Sequence, residues 1–159
     1  MSSKTLCFWV RVADIGVAFC ALLICAFLLP VQANAIIHED PTAAGFVWAW
    51  IFFLWSVALP FFVILIYVWK VSTAIKRDQV FTLQTAKWVK TGSLLLFADI
   101  GLFFLGNAVF AFLEMSGPPI VMMSLLIIIF GISMALCAAV LSRYIAKAAV
   151  LQDESEGTI

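Results

Sequence analysis

The chain is predicted to be an all-α integral membrane protein, a four-helix bundle with both termini in the cytoplasm, and three observations predict it. Hydrophobic residues make up 65% of the chain and charged residues 11%, with a mean hydropathy of +1.17. A soluble chain carries about a quarter of its residues as charges, so lipid must cover this one. Apolar runs cover about residues 12–33, 46–69, 92–113 and 120–142. At 1.5 Å per residue each spans about 33–36 Å, enough to cross a hydrocarbon core of about 30 Å with modest tilt. All nine basic residues lie on one side of these runs: Lys4 and Arg11 before the first, Lys70, Lys76, Arg77, Lys87 and Lys90 between the second and third, Arg143 and Lys147 after the fourth. The other connections, about 34–45 and 114–119, hold His38, Glu39, Asp40 and Glu114 but no Lys or Arg. The positive-inside rule then predicts a multi-pass protein of the cell membrane, N-in and C-in. Residues 1–159 form a single membrane domain, with a cytoplasmic hairpin over about 70–91 and a cytoplasmic tail over 143–159.

The first run has a second reading. Lys4 and Arg11, then Ile15 to Leu29, then Val31-Gln32-Ala33-Asn34-Ala35 follow the order of a secretory signal, and cleavage would leave three helices. The length of the basic region and the interruption by Asp14 favour retention, and the orientation of the other spans is the same either way. In the second run Trp48, Trp50 and Trp55 mark one end and Tyr67 and Trp69 the other, beside Lys70, as an aromatic belt does at headgroup level. Pro60 lies inside that run and is expected to remove a backbone hydrogen bond and kink the helix.

Between the second and third runs, Val71 to Arg77 continues the helical pattern, Asp78-Gln79 breaks it, and Phe81-Thr82 has the form of an N-cap with an apolar residue before it. The third helix therefore starts early and carries Lys87 and Lys90 out of the membrane, with Trp88 at headgroup level, so that two helices protrude as a basic hairpin. Such a hairpin attracts anionic headgroups at about 1 kcal/mol per charge, or docks a cytosolic partner. The fourth run repeats small residues at Gly131, Ala135 and Ala139, and Gly16 and Gly101 give smooth spots on the first and third. These faces are expected to meet, within one chain or between copies of a homo-oligomer. Arg143 to Leu151 extends the fourth helix, and the acidic tail with Asp153, Glu154 and Glu156 faces the basic hairpin.

Inside the membrane, Val12-Ala13-Asp14-Ile15-Gly16 is echoed by Phe97-Ala98-Asp99-Ile100-Gly101, and Ala26-Phe27-Leu28 by Ala111-Phe112-Leu113 at the same offset. The echo suggests a duplicated helical hairpin. A charged carboxylate in a span costs about 2.5–3.5 kcal/mol at the bilayer centre, so Asp14 and Asp99 each need a reason. Asp14 is expected to pair with Arg11 three residues earlier on the same helix, or to snorkel toward the nearby headgroups. Asp99 has no basic neighbour on its helix, and must face the bundle, meet Arg11 across an interface or stay protonated. Asn107 is expected to hydrogen-bond between helices.

No catalytic constellation accompanies these residues: Ser56, Ser124 and Ser133 have no His in the spans to activate them, so an enzyme is not expected. Cys7, Cys20, Cys25 and Cys137 match no metal spacing, His38-Glu39-Asp40 is a solvated turn, and no cofactor or nucleic-acid motif occurs.

Pro60-Phe61-Phe62, Ile75, Val80-Phe81-Thr82 opening a helix, and an end with Leu151, Asp153-Glu154 and Thr158-Ile159 together resemble the bacterial membrane family catalogued as domain of unknown function 2975. Gly157 stands where members commonly carry Leu. The resemblance implies a small four-helix membrane protein, often encoded beside a short helix-turn-helix DNA-binding regulator. The leading expectation is a membrane tether or sensor for such a regulator, held by Lys76, Arg77, Lys87 and Lys90 with Asp153, Glu154 and Glu156. The alternative is a small oligomeric carrier or channel using Asp99 with Asp14.

Overall fold

The computed structural model describes residues 3–77 and 80–156 and is helical throughout, with no strand among them. Helix α1 (Ser3–Leu23) runs through a widened turn, Ile24–Leu28, directly into α2 (Leu29–Glu39). Pro30 explains that turn. Its ring cannot donate to the carbonyl four residues back and crowds it, and the backbone opens so that the Leu29 N–H reaches the Ile24 carbonyl five residues back. Helix α3 (Ala44–Lys76) continues unbroken through Pro60, α4 covers Leu83–Phe112, and α5 covers Pro118–Glu156. Four helical segments, Thr5–Glu39, Pro41–Lys76, Leu83–Phe112 and Pro118–Ser155, are long and apolar enough to cross a membrane. This is the architecture of a multi-pass membrane protein.

The connections are shorter than the sequence suggests. α2 runs on to Glu39, so the region expected to be a loop over 34–45 shrinks to Asp40 and one tight turn, Pro41–Ala43. Asp40 sits in extended backbone (φ −136°, ψ 94°) and its Oδ1 accepts from the Thr42 amide at 3.0 Å and the Thr42 hydroxyl at 2.6 Å. The α4–α5 connection opens with a left-handed residue, Glu114 at φ 56°. Met115 N–H bonds the Phe110 carbonyl at 2.9 Å and Glu114 N–H the Ala111 carbonyl at 3.2 Å, the paired bonds of a Schellman stop. At the α3–α4 hairpin the sequence reading holds: α3 ends at Lys76, and Thr82 caps α4 with its Oγ1 accepting from Thr85 N at 3.2 Å. The Asp78-Gln79 breaker lies outside the described residues.

The helices pack in chain order: α1 on α3, α2 on α3, α3 on α4, and α4 on α5. Among the described residues α1 touches neither α4 nor α5, so the row stays open, with α1 and α5 on its two flanks. The register is antiparallel at each step. Cys7 meets Ser72 and Trp55 meets the Cys25 carbonyl, Trp50 stacks on Phe110, and Ser93 and Ser142 reach Ala135 and Ala86. The start of α1, the end of α3, the start of α4 and the end of α5 therefore share one end, which carries the basic side chains.

The packing is inverted relative to a water-soluble protein. Most buried positions are small or hydroxylated, such as Ala74, Ala86, Ala135 and Ala149 with Ser72, Thr85, Ser93 and Ser142, while Phe112, Phe130 and Met122 are 89%, 70% and 70% exposed. Lipid is as apolar as leucine, so large side chains gain nothing by leaving it. Close backbone approach and interhelical hydrogen bonds hold the helices instead. Ser93 Oγ donates to the Ala135 carbonyl at 2.9 Å, and Ser142 Oγ to the Ala86 carbonyl at 3.0 Å.

Gly131 and Ala135 do lie at the α4–α5 seam, Gly131 against Ile100. Gly16 and Gly101 do not meet that face: no neighbouring atom lies within 4 Å of where a Cβ would stand at either, and both are exposed. Their helical phase turns them away from the seams occupied by Asp14 and Ile100. The glycine that permits close approach is Gly106, which lies under the Phe53 ring.

Candidate functional site

Of the intramembrane polar residues Asp14, Asp99 and Asn107 are buried and Arg11 is half-buried, but their partners differ from expectation. Arg11 pairs with neither aspartate. Its Nη2 donates to Thr73 Oγ1 at 3.0 Å, its guanidinium carbon lies 4.7 Å from the centre of the Trp69 ring, and its Nε is buried without an acceptor. The reason is topological: α3 stands between α1 and α4, so an arginine on α1 that faces its neighbour meets α3. Asp14 and Asp99 are 9% and 8% exposed, and each has Oδ1 buried without a hydrogen-bond partner. They sit on helices that do not touch, so they do not share an interface. Asn107, also buried, donates from Nδ2 to the Phe103 carbonyl of its own helix at 2.8 Å, an intrahelical bond rather than a link between helices.

Asp99 has a further neighbour in the sequence pattern of α3. Trp50 against Phe110 and Phe53 against Phe103 set the α3–α4 register, which brings Asp99 to the level of Pro60. Pro60 supplies no N–H to the carbonyl of Ser56, so a carbonyl short of its helical donor and a carboxylate oxygen without a partner occur at similar depth.

At the basic end the helices overshoot the bilayer. Helix α5 has 39 residues, about 58 Å at 1.5 Å per residue, against a hydrocarbon core of about 30 Å. Its last part stays packed: Ile145 and Ala149 are 6% and 2% exposed, facing the start of α4 where Thr85 and Ala86 are 1% and 5% exposed. A surface hollow of about 420 Å³ lies along this contact, lined by Leu83, Ala146, Lys147, Val150, Leu151 and Glu154. The structure thus brings Glu154 beside the first turn of α4, while Lys76, Arg77, Lys87, Lys90 and Asp153 are exposed around it. The side chain of Glu156 and the residues after it lie outside the described set.

A second cavity, of about 210 Å³, sits in the α3–α4 hairpin, where Trp69 of one helix and Trp88 of the other share a wall with Lys70 and Arg77. From residue 31 to residue 159 the chain matches the model of a family described as protein of unknown function (DUF2975). The chain belongs to the DUF2975 family. No curated protein and no solved structure matches it. In this DUF2975 chain the matched region begins inside α2 and takes in α3, α4, α5 and both hollows at the basic end.

At the opposite end, His38 and Glu39 are exposed on the last turn of α2. The Thr42 hydroxyl, and after it the Thr42 amide, hold the Asp40 carboxyl below the ordinary carboxylate range. That carboxylate is engaged as a turn cap. Cys7 is buried and bonded to the Ser72 carbonyl at 3.2 Å, a packing thiol.

Sequence reading missed the hydroxyl contacts of Ser72, Ser93 and Ser142, and the Gly106 notch. The signal was available in part. Ser93 is a small polar residue at the start of the predicted apolar run 92–113, and Ser142 follows Ala139 by three residues, on the helix face of Gly131, Ala135 and Ala139.

Proposed function

We propose that this DUF2975 protein is a membrane tether or sensor for a small cytosolic helix-turn-helix regulator, with its basic end in the cytoplasm. The observation that carries the reading is the packed helical platform beyond the bilayer, where the end of α5 lies against the start of α4 and opens the hollow lined by Leu83, Leu151 and Glu154. A chain that needed only to be anchored and oriented has no use for about twenty residues of ordered helix outside the lipid, since basic loop residues suffice for orientation. The nine-to-none sorting of Lys and Arg supports the N-in, C-in topology. The Asp14 and Asp99 echo supports a duplicated hairpin, and the exposed apolar flanks of α1 and α5 leave room for a second copy. The regulator itself comes from the family resemblance.

A photocrosslinker placed at Leu151 or Lys87 in living cells tests the proposal. A soluble DNA-binding protein should be captured, and deletion of residues 152–159 should abolish capture. Crosslinks to lipid alone at both positions would refute the reading.

One observation favours a second reading, a carrier or channel: the buried Asp99 Oδ1 without a partner. Proteoliposome flux of protons or cations that persists unchanged in Asp99→Asn removes it.

A further inference from the structure

The cavity in the α3–α4 hairpin shares Arg77 with the tether reading, but its chemistry is one that reading does not use. Its volume of about 210 Å³ is many times the ~10–15 Å³ that one water needs, so it admits a polyatomic group. Lys70 and Arg77 are seven residues apart on α3, two helical turns, and both line the cavity. Gln84 and Trp88 add an amide and an indole N–H from the first two turns of α4. Among the described residues, no carboxylate lines the cavity. Behind the wall formed by Trp69 and Thr73, the Arg11 guanidinium places a third positive charge, its Nε buried without an acceptor. The paired tryptophans set the depth: indoles favour the headgroup layer, which is where lipid phosphates lie.

We propose that this cavity is a discrete binding site for a phosphate group. Arg77 offers a planar fork that matches two phosphate oxygens, Lys70 a mobile point charge, and Gln84 and Trp88 side-chain N–H donors, which together are the features that recognise a phosphate ester. The group belongs either to the headgroup of an anionic phospholipid, its chains lying along the exposed α3–α4 surface, or to a soluble phosphate compound entering from the aqueous side. The site is independent of any regulator and is tested on the purified chain alone.

The protein is reconstituted in nanodiscs of phosphatidylcholine, in one arm doped with phosphatidylglycerol and in the other titrated with glycerol 1-phosphate and inorganic phosphate. Binding is read by native mass spectrometry and by the midpoint of thermal unfolding. Saturable binding is expected in at least one arm, weakened about tenfold or more in Lys70→Gln and in Arg77→Gln, because each removes a charge-assisted hydrogen bond. Lys90→Gln and Arg143→Gln keep the same end of the molecule but lie outside the lining, and should bind as the parent does. Saturation in the lipid arm alone assigns a headgroup, and saturation in the soluble arm assigns a phosphate compound; both support the site. Equal weakening by all four substitutions means diffuse attraction to a basic surface and overturns the proposal, as does the absence of saturation in both arms. Lys70 and Arg77 are exposed, so their replacement leaves the helix packing intact, which helicity by circular dichroism checks.

Discussion

Gly106→Ala tests the register of α3 against α4 with one methyl group. A Cβ at Gly106 would overlap the Phe53 ring, contacting Cε2 and Cζ and standing 2.8 Å from Cδ2. The ring is rigid and packed on three sides, stacked with Phe103 at a centroid distance of 6.0 Å, edge-on to Phe110 at 5.4 Å and edge-on to Trp50 at 5.8 Å. It cannot swing aside without disturbing those contacts, and overpacking of this kind costs about 1–3 kcal/mol. Alanine in place of glycine in a helix returns about 1 kcal/mol. The net expectation is a loss of up to about 2 kcal/mol, measured as the midpoint of unfolding in a detergent-to-SDS titration.

The same substitution at Gly16 or Gly101, where no neighbour lies within 4 Å, collects only the helical gain and should stabilise by about 1 kcal/mol. Opposite signs for one chemical change make the comparison robust to any general effect of the detergent. Phe53→Leu should suppress the penalty in a double-mutant cycle, since a smaller flexible side chain can yield to the methyl. If Gly106→Ala stabilises as much as Gly101→Ala does, Phe53 does not cover Gly106 and the α3–α4 register described above is wrong.

Other substitutions probe the turns and seams. Glu114→Gly should raise stability by about 1 kcal/mol in the same titration, because an L-residue at φ 56° carries a left-handed strain that glycine lacks. Ser93→Ala and Ser142→Ala should each cost about 0.6 kcal/mol, the typical worth of an interhelical hydrogen bond in a membrane, and costs near zero would place those hydroxyls elsewhere. At the Asp40 turn the folded carboxyl is depressed, so its stabilising contribution is fully present above the unfolded pKa of about 3.9 and disappears as pH falls through the folded value. Amide exchange at Thr42 should accelerate over that acid range in the parent, and Thr42→Val should reduce the pH dependence by removing the largest cause of the shift while the backbone amide bond remains.

What could be read from the sequence followed from the bilayer as solvent. Span number, span type, the early start of α4 at Thr82 and the helical continuation past Arg143 all come from hydropathy, charge placement and capping chemistry, which are local and survive any tertiary arrangement. The end of α2 was less legible, because a helix leaving lipid loses its apolar signal while keeping its backbone pattern. Residues 34–39 are polar enough to pass for a loop yet stay helical up to the Asp40 cap. Pro30 was invisible for a different reason: a membrane helix absorbs a proline by widening one turn, and no side chain records that.

The partners of Arg11 show where sequence reasoning stops. An i,i+3 acid on its own helix and an acid at the matching position of the third span were both reasonable, since a buried guanidinium and a buried carboxylate each lower the other's cost. The observed choice depends on which helix stands next to α1, and only the row order α1, α3, α4, α5 decides it. Once α3 is that neighbour, Trp69 and Thr73 take the guanidinium, a cation–π contact and one hydrogen bond in place of an ion pair. The carboxylates of Asp14 and Asp99 are left with oxygens that nothing in the chain fills. The Arg11 charge, unspent on either of them, stands behind Trp69 and Thr73 at the hairpin cavity. The packing order that separates the expected ion pairs is thus the same order that sets the Arg11 charge behind a cavity whose described lining holds Lys70 and Arg77 and no carboxylate.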